Sequence, residues 1–455
     1  MIYNILNRFT ILLLIPLFTL LSFTACSDDD GAMVDPDPAP ETLVDVASSD
    51  ERFSTLVQVV TDLGLADVLA EQELTVFAPT NAAFDEIASV IPTLSNDDLQ
   101  QIVLYHLVAG TVLSGDLGAS QDVEMVQGEV SLIRASATGV DINNYATVVE
   151  ADITASNGVI HAIDKVLLPT DYRVALIGPS LVEVAREAGS FETLLELVEL
   201  TGLTTTLQFL GPFTAFAPVD AAFEGLFAAL NEAGIELTNE QIAGVLAYHV
   251  LAPQIGEVPS SALDAPQAFP TAAEEVVYIT SDDNGVKVNG QATVVTPDVD
   301  NAVNGIIHVV DRVLLPNLLN PVTGIIQKDY NLTTLLSLVA AREEILSTLS
   351  GSGEFTVFAP TNQAFEEALA AFPDLTDEQI TEILTYHVIA GATVLSTDLS
   401  DGATATTLQG EEITVSITEE GAFINNAEVV GADRIGTNGV VHVIDAVILP
   451  PSYTE

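Results

Sequence analysis

The sequence predicts three tandem α+β domains, and three observations predict it. The phrase TVFAPTNAAF at 75–84 recurs as FTAFAPVDAAF at 213–223 and TVFAPTNQAF at 356–365. A second phrase follows each in the same order: NGVIHAIDKVLLP at 157–169, NGIIHVVDRVLLP at 304–316 and NGVVHVIDAVILP at 438–450. Phe77 to Phe216 spans 139 residues and Phe216 to Phe358 spans 142. That period exceeds any solenoid repeat and matches an independently folding domain. Within each copy, helical and strand periodicities are interspersed without βαβ regularity, so antiparallel strands should dominate.

Each copy opens on an amphipathic helix. Phe53, Leu56, Val57, Val60 and Leu63 form an i, i+3, i+4 stripe, repeated by Phe191, Leu194, Leu195 and Val198 and by Leu332, Leu335, Leu336 and Val339. These are core positions. The first phrase then reads as strand, break and helix. Thr75, Val76 and Phe77 favour a strand. Pro79, Pro218 and Pro360 end it, because proline cannot donate to a ladder. Thr80-Asn81, Val219-Asp220 and Thr361-Asn362 supply polar groups to cap the next helix, which buries Phe84 in the first copy.

A second amphipathic helix follows, NDDLQQIVLYHLVAG in the first copy, with Asp97 or Asp98, Asn239 and Asp377 in its first turn, where capping or negative groups are favoured. It ends in a Tyr-His pair: Tyr105-His106, Tyr248-His249, Tyr386-His387. β-rich sequence comes next. In the third copy EEITVSITEEGAFINNAEVV reads as two strands separated by EEG. The closing phrase is a last strand entered by an Asn-Gly turn.

Charge restricts the partners. The chain carries 65 acidic residues against 11 Lys plus Arg, a net −54, with no basic run. This excludes the counterion-displacing surface that nucleic-acid binding needs. Anionic headgroups would also repel it, so membrane attachment must be covalent or through an inserted segment.

Residues 1–25 read as a secretory signal: Arg8, then the apolar run FTILLLIPLFTLLSF, then Thr24-Ala25 before Cys26. Cys26 is the only cysteine and has no disulfide partner in the chain. The pattern resembles a bacterial lipoprotein signal, which implies that Cys26 is lipidated, although Phe23 stands where such signals usually carry Leu, Val or Ile. Residues 26–41, rich in Asp and Pro, read as a flexible tether. Ser27 after the cysteine and Asp28–Asp30 beyond it resemble outer-membrane and surface-export features, and point to the cell surface.

All six histidines fall in the two phrases: His106, His249 and His387 after tyrosine, and His161, His308 and His442 in the closing strand. Two readings compete. As metal ligands or bases they lack companions: each copy offers two His, no short His-x-x-x-His spacing and no thiol. No G-x-S-x-G elbow or phosphate-cradling loop accompanies them. As buried links they would tie a helix end to a strand through both ring nitrogens. The second reading is the expectation, with no metal, no cofactor and no enzymatic activity.

The FAP-T-N-x-AF stretch, the Tyr-His pair and the NG-[VI]-[VI]-H-x-[IV]-D-x-V-[LI]-LP close together resemble the fasciclin domain family, in all three copies. The resemblance implies a compact wedge of β-strands packed with several helices, in copies over 42–170, 174–316 and 321–451. It also implies an extracellular adhesion or matrix-binding module, with a structural envelope scaffold as the alternative. A protein or polysaccharide partner at the surface is implied too. In animal relatives two integrin-linked features match here. One is the Tyr-His pair. The other is an Asp nine or ten residues before the closing His: Asp152, Asp298 and Asp433. On that basis these nine residues are candidate contacts. Pro79, Asn81, His161, Pro218, Asp220, His308, Pro360, Asn362 and His442 are expected to be structural.

Overall fold

The computed structural model describes residues 41–136 and 139–453, so the expected signal, the expected lipidation site Cys26 and nearly all of the expected tether lie outside the described residues. From Thr42 onward the chain holds together as one compact unit. It contains three copies of one α+β wedge.

In the first copy three short helices, α1 (Leu43–Ser49), α2 (Ser54–Asp62) and α3 (Ala66–Glu71), lead into β1 (Leu74–Pro79). Helices α4 (Asn81–Glu86) and α5 (Asn96–Leu104) follow. The strands β2 (Leu107–Ala109), β3 (Gln121–Glu124), β4 (Val130–Ser136), β5 (Gly139–Ile142), β6 (Ala146–Ala155) and β7 (Gly158–Ile163) complete it. The sheet order is β2-β1-β7-β6-β5-β4-β3. All neighbours are antiparallel except β1 and β7, which run parallel with Phe77 opposite His161. Both central strands are buried along their whole length, which explains their near-continuous apolar sequence.

Helix α6 (Thr170–Leu176) connects to the second copy and contains residue 174, where that copy was expected to begin. Its elements are α7 (Leu181–Ala188), α8 (Glu192–Leu200), α9 (Thr204–Phe209), β8 (Phe213–Pro218), α10 (Asp220–Ala233) and α11 (Asn239–Tyr248). Then come β9 (Gln267–Pro270), β10 (Val276–Asp282), β11 (Gly285–Val288), β12 (Ala292–Val299) and β13 (Gly305–Val310). This sheet runs β8-β13-β12-β11-β10-β9. The counterpart of β2 is reduced to a single bridge, Ala215 to Val250.

The third copy restores seven strands. It comprises α12 (Val322–Lys328), α13 (Thr333–Ala340), α14 (Glu343–Ser350), β14 (Phe355–Pro360), α15 (Asn362–Ala371) and α16 (Asp377–Tyr386). Strands β15 (Val388–Ala390), β16 (Thr404–Thr406), β17 (Glu412–Ile417), β18 (Ala422–Ile424), β19 (Ala427–Gly436) and β20 (Gly439–Ile444) follow. The stretch expected to hold two strands holds three. The missed break is at Asn425, which turns the chain with φ 53°, a conformation asparagine tolerates better than most residues.

Each copy buries two apolar clusters. In the first, Phe53, Leu56, Val60 and Phe84 pack with Val76 and Ile160 on the helical side. Phe77, Tyr105, Met125, Ile133 and Ile142 fill the other side. The predicted helical stripes therefore supply the core, with Phe53, Phe191 and Leu332 all buried.

The helix caps differ from expectation. Thr80 and Thr361 cap α4 and α15 through their hydroxyls, and Val219 offers α10 no side-chain cap. The next residue does not replace it. Asn81 Oδ1 accepts from Thr55 N at 3.0 Å, Asp220 Oδ1 from Thr193 N at 2.8 Å and Asn362 Oδ1 from Thr334 N at 2.8 Å. These amides lie in the first turns of α2, α8 and α13, whose own N-cap residues are Phe53, Phe191 and Leu332 and offer no side-chain acceptor. A buried hydrophobe thus takes the cap position, and the orphan N–H is satisfied from a distant loop.

Candidate functional site

The Tyr-His pair ends α5, α11 and α16, where the chain turns into the sheet. His106 Nδ1 donates to Ile102 O at 2.7 Å, and its Nε2 accepts from Leu167 N at 2.8 Å. His249 and His387 make the same two bonds, to Val245 O and Leu314 N and to Ile383 O and Ile448 N. Burial pushes all three imidazoles down to about 4, so they are neutral at neutral pH. The preceding tyrosines are fully buried. Their hydroxyls accept from Asn143, Asn289 and Asn425 at 3.0–3.1 Å.

These asparagines went unnoticed in the sequence. Each has a positive φ, and its Oδ1 accepts a backbone N–H from the neighbouring strand: Leu132, Tyr278 or Thr414. The signal available was an Asn recurring 38, 41 and 39 residues after the tyrosine.

The closing-strand histidines are committed as well. His161 Nδ1 accepts from Asp152 N at 3.2 Å and its Nε2 donates to Val112 O at 2.9 Å. His308 pairs with Asp298 N and Val258 O, and His442 with Asp433 N and Val394 O. The Asp occupies a bulge, where the register between β6 and β7 slips, and takes φ 61°, 52° and 57° in the three copies. Its carboxylate accepts from both the backbone N and the hydroxyl of Ser114, Ser260 or Ser396. Those hydrogen bonds hold the Asp152 and Asp298 carboxyls below the usual range.

Ser, Asp and His thus meet three times, but in an order that activates nothing. The hydroxyl proton points to the carboxylate, and the imidazole lone pair is taken by a backbone N–H. A nucleophilic serine needs that lone pair for itself. No group of three or more metal-ligating side chains occurs among the described residues.

The Tyr-His candidates are therefore corrected as direct contacts. Tyr105, His106, Tyr248, His249, Tyr386 and His387 are no more than 3% exposed, so the folded domains do not present them to a partner. Asp152, Asp298 and Asp433 reach the surface in part, with their carboxylates already engaged. Pro79, Pro218 and Pro360 are the last residues of β1, β8 and β14.

The Asn-Gly step is also more than a hairpin turn. Asn157 Oδ1 accepts from Leu43 N, and Nδ2 donates to Leu69 O and Gln72 O, so one side chain joins the start of α1 to the end of α3. Asn304 and Asn438 repeat the clamp. Gly158 is obligatory: with φ 151°, a Cβ there would lie 1.9 Å from Leu74 O.

This thrice-repeated architecture has a counterpart. The sequence model of the Fasciclin domain matches residues 51–169, 189–316 and 330–450. The chain belongs to the fasciclin domain family. Transforming growth factor-beta-induced protein ig-h3 of Oryctolagus cuniculus is 28% identical over 386 residues, 84% of this chain and 54% of that protein. Human periostin is 26% identical over 392 residues, 84% of this chain and 44% of its own length. The chain thus spans about half the length of the curated relatives it matches. An uncharacterized Synechocystis protein is 44% identical over 130 residues, 28% of this chain and 96% of that one. A solved FAS1 domain pair from the insect cell adhesion molecule Fasciclin I aligns at TM-score 0.43 and 19% identity, covering 58% of this chain and 99% of the pair.

The fasciclin domains are joined by two different junctions. Between the first and second, Arg173 pairs with Glu183 at 2.7 Å, Gln208 bridges Glu183 and Thr170, and Thr205 donates to Asp122 at 2.7 Å. Between the second and third, Tyr278 meets Tyr330 edge-on at 5.8 Å. Arg434 lies over the Tyr278 ring while pairing with Asp329. Arg434, next to Asp433 in the third copy, is thus a junction residue. Among the described residues, no helix is long and apolar enough to cross a membrane.

Proposed function

We propose that the protein is a lipid-anchored, extracellular adhesion or matrix-binding protein acting through its three fasciclin domains. The carrying observation is that the family matches three times over most of the chain, while the repeated polar residues at its centre are consumed by the fold. A module whose histidines have both nitrogens bonded serves by its surface. The reading is therefore non-enzymatic, with a protein or polysaccharide partner and no cofactor. Three linked copies suit multivalent contact, since linkage raises effective concentration without new chemistry. The lipoprotein-like signal ending at Cys26 supports anchoring to the outer membrane, with the copies facing outward.

A deletion strain compared with its parent for attachment and aggregation tests the function; unchanged attachment sinks it. Labelled fatty acid incorporated by the parent chain and lost in Cys26→Ala tests the anchor.

A further inference from the structure

The second fasciclin domain carries a groove that is nearly closed in the third. It lies between α8, α10 and α11, has a volume of about 430 Å³, and is lined by Leu197, Leu226, Phe227, Leu230, Ile235 and Ile242 among others. Phe227 is 45% exposed and Ile235 50%. The same positions in the third domain, among them Leu338, Ala368, Leu369, Phe372 and Ile380, enclose only about 20 Å³. The difference is one helical turn. Helix α10 has 14 residues against 10 in α15, and it ends at Gly234 in the left-handed conformation. The added turn lengthens the wall of the groove and places Ile235 in its lining. In the first domain, Tyr172, Ile87, Ile91 and Leu94 all pack against the helical-side core.

The rim of this groove has one sign of charge. From residue 187 to 286 the sequence holds no Lys or Arg. Glu236 lines the groove itself, and Glu224 and Glu232 are exposed along α10. A second copy of the chain, with net charge −54, would bring the same acidic rim against it. An apolar floor also offers a sugar few of the hydrogen bonds its hydroxyls need.

We infer that this groove receives a cationic amphipathic helix of a protein partner. Apolar side chains at i, i+3 or i+4 and i+7 would enter beside Phe227 and Ile235, and Lys or Arg on the flanks would meet the glutamates. The volume is that of a preformed binding pocket. The inference rests on the adhesion reading for its setting and adds the chemistry of the partner.

The test titrates the full chain with a labelled Leu/Lys amphipathic peptide of about 18 residues, five helical turns, and with a Leu/Glu peptide of the same apolar pattern. One-to-one binding of the Leu/Lys peptide is expected, weakened about tenfold or more by Phe227→Asp, as for a central anchor. Leu369→Asp in the narrow groove of the third domain should leave it unchanged. Equal binding by the Leu/Glu peptide, indifference to Phe227→Asp, or displacement by a neutral oligosaccharide would each overturn the proposal. Attachment of the deletion strain is scored separately, so a peptide that fails to bind leaves the adhesion reading standing on another surface.

Discussion

Lys328 Nζ lies 5.1 Å from the ring centroid of Tyr248, placing a cation of the third domain against the buried tyrosine of the second. Its ammonium donates to Leu315 O, and burial lowers it to about 8 against the partial compensation of Glu275. The folded lysine releases its proton before the unfolded one does. The cost of burying the charge is therefore fully present below pH 8 and is relieved as pH rises from 8 towards 10.5. Chemical unfolding of the junction should show a midpoint that rises over that interval, and Lys328→Met should abolish the rise.

The Tyr-His histidines follow the same sign in a lower pH window. The unfolded imidazole binds a proton near pH 6.5, while the folded ones wait until about 4. Stability is complete above 6.5 and is lost as pH falls through 4. Each site should contribute a slope of about 1.4 kcal/mol per pH unit between those limits. His106→Gln should remove one proton from the uptake that accompanies acid unfolding, as measured by calorimetry across buffers.

Asn81 and Asp220 occupy one step in two copies but hold different numbers of bonds. Asn81 accepts from Thr55 N and also donates to Glu51 O, whereas Asp220 only accepts. Replacing either with alanine uncaps a helix, at a cost of about 1–2 kcal/mol. Domain-resolved denaturant melts should rank Asn81→Ala as the more damaging.

At Asp152 the backbone and the side chain can be separated. The φ of 61° favours glycine, while the carboxylate secures Ser114. Asp152→Gly should lose the strap alone, and Asp152→Ala should lose the strap and add strain of about 1 kcal/mol. Equal melting temperatures for the two variants would show that the bulge carries no conformational cost.

Much of this fold was legible because its repeats are apolar and periodic. The stripes through Phe53, Phe191 and Leu332, the strand stop at Pro79 and the helix ending at Tyr105-His106 depend on local spacing. What escaped were long-range polar duties. Nothing near Asn81 indicates that it serves a helix starting 27 residues earlier, and Asn143 reads as an ordinary turn residue until Tyr105 is seen above it. Arg434 has no local signature of its role, because its partner ring, Tyr278, belongs to another domain. The candidate contacts mixed buried with half-exposed groups for the same reason: spacing along the chain does not report depth.

The parallel pairing of β1 with β7 also sets an order of assembly. Leu74 meets Gly158, 84 positions further along the chain, so the sheet of each domain stays split until its final strand arrives. A chain emerging from its N-terminus completes one domain before the next closing strand exists. That sequence of events matters here, because β13 and β20 carry nearly the same side chains as β7. Serial completion keeps each opening strand from being claimed by the wrong copy, a hazard that refolding of the whole chain from denaturant would reintroduce.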